Sequence, residues 1–410
     1  MREAAVDELK SWGSDVEVVE VKEPGFIIPG FMDSHIHAPQ YSFTGTGYDL
    51  PLLQWLEKYT FPSETKLSDC ALARKVYSDV IDQTLTNGTT TASYYATIDL
   101  QATQALVELL YEKGQRALVG KINMDRNSPP TYSESSSQSL EDTKRFLQFT
   151  AQEAQKRKEG SPNVAEVLPI ITPRFVPSCT PELLQELGNL AAEGNLPVQS
   201  HISENRDEVE WVKQLHPELK SYAEVYAHYG LLTNKTIMGH GIYLSDEELQ
   251  LFARLGAGIS HCPISNFALR SGVFHVRRAK EAGVKVGLGT DVSGGYSPSM
   301  LEVMRQAVIA STAIYFNDPS SAPLSFKEVF HLATLGNAEL FDMTDSLGTL
   351  HVGKSFDALI IDPQCPDSPF HTYDFVANSM EDIFQKFIFL GSAINVRSVF
   401  VQGRQVLQKQ

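Results

Sequence analysis

The chain has 410 residues, 42% of them hydrophobic and 20% charged, and a formal net charge of −16. That length supports one large core with a satellite lobe, and the acidic balance repels phosphate backbones and anionic lipid surfaces, which excludes nucleic acid and membrane as main partners and leaves a small molecule. Four scattered cysteines, Cys70, Cys179, Cys262 and Cys365, form no CxxC pair, as expected for free thiols in a reducing, cytoplasmic setting.

The first 21 residues are rich in Asp and Glu without the apolar run of a signal peptide, and no later stretch reaches bilayer-spanning length. From residue 26 onward, short apolar runs alternate with longer amphipathic stretches, the pattern of βα units around a parallel sheet. Eight runs read as strands: 31–38, 89–97, 116–124, 164–174, 196–203, 236–244, 257–263 and 284–291. The Ser-rich patch at 133–139 reads as an exposed loop. Thr180-Pro181-Glu182 opens a helix whose inner stripe is Leu183, Leu184, Leu187 and Leu190, with Gly194 as its stop. Ser245 and Glu248 have capping-box spacing ahead of Leu249, Phe252 and Leu255.

Eight strands with helical crossovers and no Gly-rich dinucleotide loop predict an α/β fold, a (β/α)₈ barrel rather than an open doubly wound sheet. The barrel is expected at 29–345. Residues 357–362 and 396–407, separated by a Pro-rich loop, read as strands of a C-terminal β lobe at 346–410, and residues 1–28 as the remnant of an N-terminal β lobe.

Barrel enzymes carry their chemistry at the C-terminal ends of the strands. The first run ends in His35-Ile36-His37, and residues two apart on a strand share a face, so both imidazoles converge. The fifth ends in His201 with Glu204 three residues on, the sixth in His240, and the eighth in Thr290-Asp291. Several histidines and one aspartate at equivalent strand ends fit a zinc site with a position left for water, because burying so many titratable groups together is costly without a cation. Such a water needs a base and a proton shuttle. Glu204 is placed for that, although a first-turn helix glutamate reads the same way. His240 is either a further ligand or a donor orienting the water, and the sequence does not separate the two. The fourth run ends in Arg174-Phe175, where a guanidinium suits a planar, acceptor-rich ligand or else pairs with an acid.

Taken together, the segments PGFMDSHIHAPQY from Pro29, DLPLLQWL from Asp49, SHISEN from Ser200, HCPISN from His261 and GLGTDVSGG from Gly287 resemble guanine deaminases of the amidohydrolase superfamily. His-x-His and Gly-Thr-Asp mark the superfamily, whereas Ala38-Pro39-Gln40 and the segment from Asp49 point to guanine. The resemblance implies zinc at His35, His37, His201 and Asp291, with His240 close to the metal and Glu204 as shuttle. It implies contacts to a purine from His37, Ala38, Pro39, Gln40, Arg174, Phe175, His201, Ile202, Ser203, Glu204 and Asp291, catalytic roles for Glu204, Asp291 and His240, and a homodimer. Binuclear members of the superfamily commonly place a carboxylated lysine on the fourth strand, and 164–175 contains no Lys, so one zinc per chain is expected. Trp55 closes the pocket or belongs to the core. Guanine hydrolysis to xanthine is the leading expectation; an aminohydrolase or chlorohydrolase of a related heterocycle shares every metal residue, and a metal-free scaffold is the third alternative.

Overall fold

All eight runs expected as barrel strands contain strands in the computed structural model of the chain, which describes residues 18–160, 164–373, 375, 376 and 378–409. Most of the acidic N-terminal stretch, and with it most of the expected N-terminal lobe remnant, lies outside the described residues. After β1 (Phe26–Pro29) come β2 (Phe31–His37), β3 (Thr89–Tyr95), β4 (Arg116–Gly120) with its continuation β5 (Ile122–Asn123), and β6 (Val167–Pro169) with its continuation β7 (Thr172–Pro173). The ring continues with β8 (Val198–Ile202), β9 (Thr236–His240), β10 (Gly258–His261) and β11 (Lys285–Leu288). The fourth strand is broken because Pro169 and Pro173 have no N–H for the ladder.

Neighbours pair in parallel within β2-β3-β4-β6, β5-β7 and β8-β9-β10-β11. Backbone bonds join these groups at both seams. Ile171 bridges Val198 in parallel, and Asp291 N–H donates to the His35 carbonyl at 2.8 Å while His37 N–H donates to that of Val292 at 2.9 Å. The strands thus form the ring of an α/β barrel. Met32, Leu118 and Ile237, from three strands, and Ile170, between β6 and β7, cluster with Ala338, Leu340, Phe341 and Leu347 in an apolar layer.

A register irregularity in β2 between Asp33 and Ile36 aims the first histidine. Met32 packs with Ile237, and a Cβ on Gly239, two residues further along β9, would lie 2.6 Å from Cε1 of His35. Met32 and His35 therefore face the same side of the sheet although they are three residues apart, which an unbroken period of two forbids and a bulge permits.

Helix boundaries follow their caps. Thr180 caps Pro181–Gly194, whose left-handed terminator is Asn195 rather than Gly194, and Ser245 with Glu248 forms a capping box on Asp246–Leu255. The Ser-rich patch is an exposed loop only over 133–135: Ser136 opens the helix Ser136–Gly160, and Ser139 is fully buried, accepting from the Asn123 amide at 2.8 Å.

In the satellite lobe, β1 pairs antiparallel with β12 (Ala358–Ile361), β12 with β13 (Val396–Val401), and β13 with β14 (Arg404–Gln408). The run at 396–407 is thus a hairpin, turned by Gln402 and Gly403, both left-handed. The segment before it holds a helix, Met380–Leu390, where a Pro-rich loop was expected; a Ser379/Asp382 capping box starts it and Phe387 stacks edge-on against Phe26. Both β12 and β13 are interior strands, and β1 and β14 are the edges of this sheet. A buried ion pair between Arg116 of β4 and Asp357 ties the lobe to the barrel. Among the described residues no helix is long and apolar enough to cross a membrane.

Candidate active site

Four strand ends deliver the polar groups to one place. One ligand atom each from His35, His201, His240 and Asp291 lies within 4.8 Å of the others. His37 joins them, its Nε2 3.1 Å from Nε2 of His201 and 3.5 Å from Oδ1 of Asp291. Five side chains therefore converge where the sequence names four ligands and a neighbour. Tyr95, at the end of β3, is a member that sequence reading missed; its ring centroid lies 4.4 Å from that of His37, 4.7 Å from His35 and 5.0 Å from His201.

The backbone bends sharply to achieve this. Ser203 (φ 50°), His240 (φ 73°) and Asp291 (φ 49°) are left-handed without being glycine, a conformation that costs about 1–3 kcal/mol each and is held where the surrounding structure dictates it. Asp33 secures the seam beneath: Oδ1 accepts from Thr290 N–H at 3.0 Å and His35 N–H at 3.2 Å, and Oδ2 from the Thr290 hydroxyl at 2.5 Å.

The donor set fits a divalent metal. Nδ1 of His35 and Nδ1 of His37 are buried without any hydrogen-bond partner, which buried polar atoms rarely tolerate, and Nε2 of His35 faces Asp291 Oδ1 at 3.3 Å. The Nδ1 of His201 donates to the Arg174 carbonyl at 2.6 Å, leaving the Nε2 lone pair toward the centre. His240 is steadied by Asn266, Nδ1 to Oδ1 at 3.0 Å, and its Nε2 faces Glu204 Oε2 at 3.5 Å and Asp291 Oδ2 at 3.7 Å. Burial pulls His35, His37 and His201 below the ordinary imidazole range, which favours their neutral form. Burial opposes ionisation of Asp291, but the bond to His35 and the surrounding imidazoles outweigh it and hold the carboxyl well below its usual range. Burial likewise opposes charge on His240, yet the Glu204 and Asp291 carboxylates leave it raised. Neutral imidazoles beside an ionised carboxylate are what zinc-type cations bind.

Glu204 is not a first-turn helix residue, because the next helix, Arg206–Leu215, starts after it with Asn205 as cap. Its backbone N–H donates to the Glu208 carboxylate at 2.8 Å, and its own Oε1 accepts from the Ser271 hydroxyl at 3.2 Å. Burial pushes the Glu204 carboxyl up to about 7, partly offset by His240.

The cluster borders a small, partly open cavity. His37, Gln40, Arg174, Phe175, His201, Glu204, His240 and Asp291 line it, as do Leu52, Trp55, Leu56, Glu208, Leu269 and Gly294. Leu52, Trp55 and Leu56 belong to the segment from Asp49 singled out in the sequence, whereas Leu269 had no such signal. Trp55 serves both expected roles: it is 2% exposed, donates its indole N–H to the Thr46 carbonyl at 3.1 Å and still borders the cavity. Ala38, Pro39, Ile202 and Ser203 are buried behind the lining rather than in it. Arg174 does pair with an acid, the buried Glu64, while presenting itself to the cavity.

Comparison with known proteins agrees with this geometry. The sequence profile of the amidohydrolase family matches residues 26–406. The guanine deaminase of Dictyostelium discoideum is 49% identical over 381 residues, 93% of this chain and 82% of the relative, and that of Homo sapiens is 47% identical over 394 residues, 95% and 85% respectively. A guanine deaminase structure from C. acetobutylicum with guanine bound in its active site superposes with a TM-score of 0.86 at 37% identity, covering 97% of this chain and 90% of that one. The chain belongs to the amidohydrolase family and, within it, to the guanine deaminases.

Proposed function

We propose that the protein hydrolyses guanine to xanthine and ammonia with one zinc ion per chain, held by His35, His37, His201 and Asp291. The observation that carries this reading is one cavity bordered on one side by a convergent His/Asp cluster and on another by the donor side chains Arg174 and Gln40, in a chain whose relatives are guanine deaminases. When bound, zinc supplies Lewis-acid activation that brings the pKa of a water toward 7.

The chain's own residues do the rest. Arg174 and Gln40 offer N–H groups to the ring carbonyl. Phe175, stacked edge-on against Trp211 with centroids 6.2 Å apart, covers a face of the base. Leu52, Trp55, Leu56 and Leu269 exclude bulk water, while Ala38, Pro39, Ile202 and Ser203 shape the wall from behind. Glu204 takes a proton from the attacking water at Oε2 and delivers it to a ring nitrogen. Asp291 holds the second water proton, which leaves on the amino group as ammonia while the water oxygen stays on the carbon that bore it. His240 Nε2, between the two carboxylates, orients the water.

The same reading makes the enzyme a cytoplasmic homodimer. All four cysteines are unpaired and three are buried, which suits a reducing compartment. The test is ammonia and xanthine formation from guanine, with adenine and cytosine alongside. Guanine alone should react, because adenine sets its amino donor against Arg174; comparable rates on adenine would remove the guanine assignment.

A further inference from the structure

Behind Arg174 and Gln40 stands a residue that does not border the cavity. Glu64 lies on the short helix Phe61–Lys66, which follows a π-helical turn, Leu56–Thr60, directly after Trp55. Its side chain is fully buried, and each carboxylate oxygen accepts two hydrogen bonds. Oε1 receives Arg174 Nη2 at 3.2 Å and Gln40 Nε2 at 3.1 Å; Oε2 receives Arg174 Nη1 at 2.8 Å and the Tyr132 hydroxyl at 2.5 Å. The guanidinium also lies over the Phe61 ring, 5.3 Å from its centroid.

This wiring decides what the cavity wall can offer. Gln40 Oε1 accepts from the Ser293 backbone N–H at 3.3 Å, while its Nε2 gives one hydrogen to Glu64. Turning the amide over would set donor against donor at Ser293 and acceptor against acceptor at Glu64, so its orientation is fixed from outside the cavity. With its oxygen turned toward Ser293, Gln40 has one N–H left for a ligand, and Arg174 has only donors at any time. The wall that the two share is therefore donor-only.

We propose that Glu64 is a positioning residue that sets the polarity of the substrate pocket, locking Gln40 and Arg174 as donors so that a base with a ring carbonyl is accepted and one without it is rejected. The proposal rests on the guanine reading above. Glu64→Gln replaces four acceptor lone pairs by two and introduces an NH₂ group among four donors, so Gln40 must turn its oxygen inward or Arg174 must swing away.

The experiment compares guanine with 2-aminopurine, which bears the same amino group on the same carbon and no ring carbonyl. Parent activity on guanine reports on the proposed function, and the change in the guanine to 2-aminopurine ratio of kcat/KM reports on Glu64. Glu64→Gln should keep the parent's zinc content, raise KM for guanine more than it lowers kcat, and reduce the ratio by at least about tenfold. Tyr132→Phe removes a single bond to Glu64 from the side away from the cavity and should lower the same ratio by a few-fold, which keeps the test alive if the first variant fails to fold. Equal losses on both substrates, or an unchanged ratio in Tyr132→Phe and Glu64→Gln alike, would overturn the proposal.

Discussion

Glu204 and Glu64 are both buried carboxylates beside the same cavity, and their neighbours decide what each can do. Glu64 is saturated by four donors, whereas Glu204 has one hydroxyl, an imidazole at 3.5 Å and a carboxyl lifted by burial to about 7. A group poised near neutrality with a free oxygen transfers protons. Glu204→Gln should therefore retain zinc and lower kcat by roughly 10²–10⁴-fold; metal quantification beside steady-state rates checks it, and turnover within a few-fold of the parent would remove the shuttle role. Arg174→Ala should cost guanine turnover far more than zinc content, and it strands Glu64 as an uncompensated buried charge, lowering stability by about 3–5 kcal/mol. Activity, metal content and denaturant midpoint of one preparation separate those effects. The strand-end histidines, Asp291 and Glu204 were legible in the sequence because motif spacing and strand period are local. Glu64 and Tyr95 were not, since nothing local links Glu64 to Arg174, 110 positions away.

At the level of elements, strand existence and helix caps were readable, and boundaries and re-aimed residues were not. The Ser245/Glu248 box lies where the spacing puts it because a cap is satisfied within four residues. The helical start at Ser136 was misread because the burial of Ser139 and Thr143 depends on the amide of Asn123, on another element. The helix Met380–Leu390 was obscured by the prolines before it, although its own capping box and apolar stripe were present. In β9, Gly239 is required by the close approach of His35. Gly239→Ala should push that ring aside, so zinc retention after dialysis should fall sharply while the secondary structure measured by circular dichroism is unchanged. Full zinc retention would show that His35 has room to spare.

For the whole molecule, the eightfold alternation of apolar runs carried the barrel, and the lobe was legible only as strands without partners, because pairing across more than 300 residues, as between β1 and β12, leaves no local mark. The buried Arg116–Asp357 pair joins the two parts, and neither residue lines the cavity. Asp357→Ala should lower stability by about 3–5 kcal/mol and leave kcat on guanine at the parent's value below the unfolding transition; a changed kcat would mean that the lobe reaches the site. The claim on which all of this depends is that one metal-bearing His/Asp cluster and one donor-lined wall act on the same base. It is tested most directly by supplying guanine to purified protein of known zinc content and measuring xanthine and ammonia together. The account predicts about one zinc per chain and equimolar xanthine and ammonia that disappear when zinc is chelated and return when it is restored; unchanged turnover in fully metal-depleted protein, or no xanthine from zinc-replete protein, would contradict it.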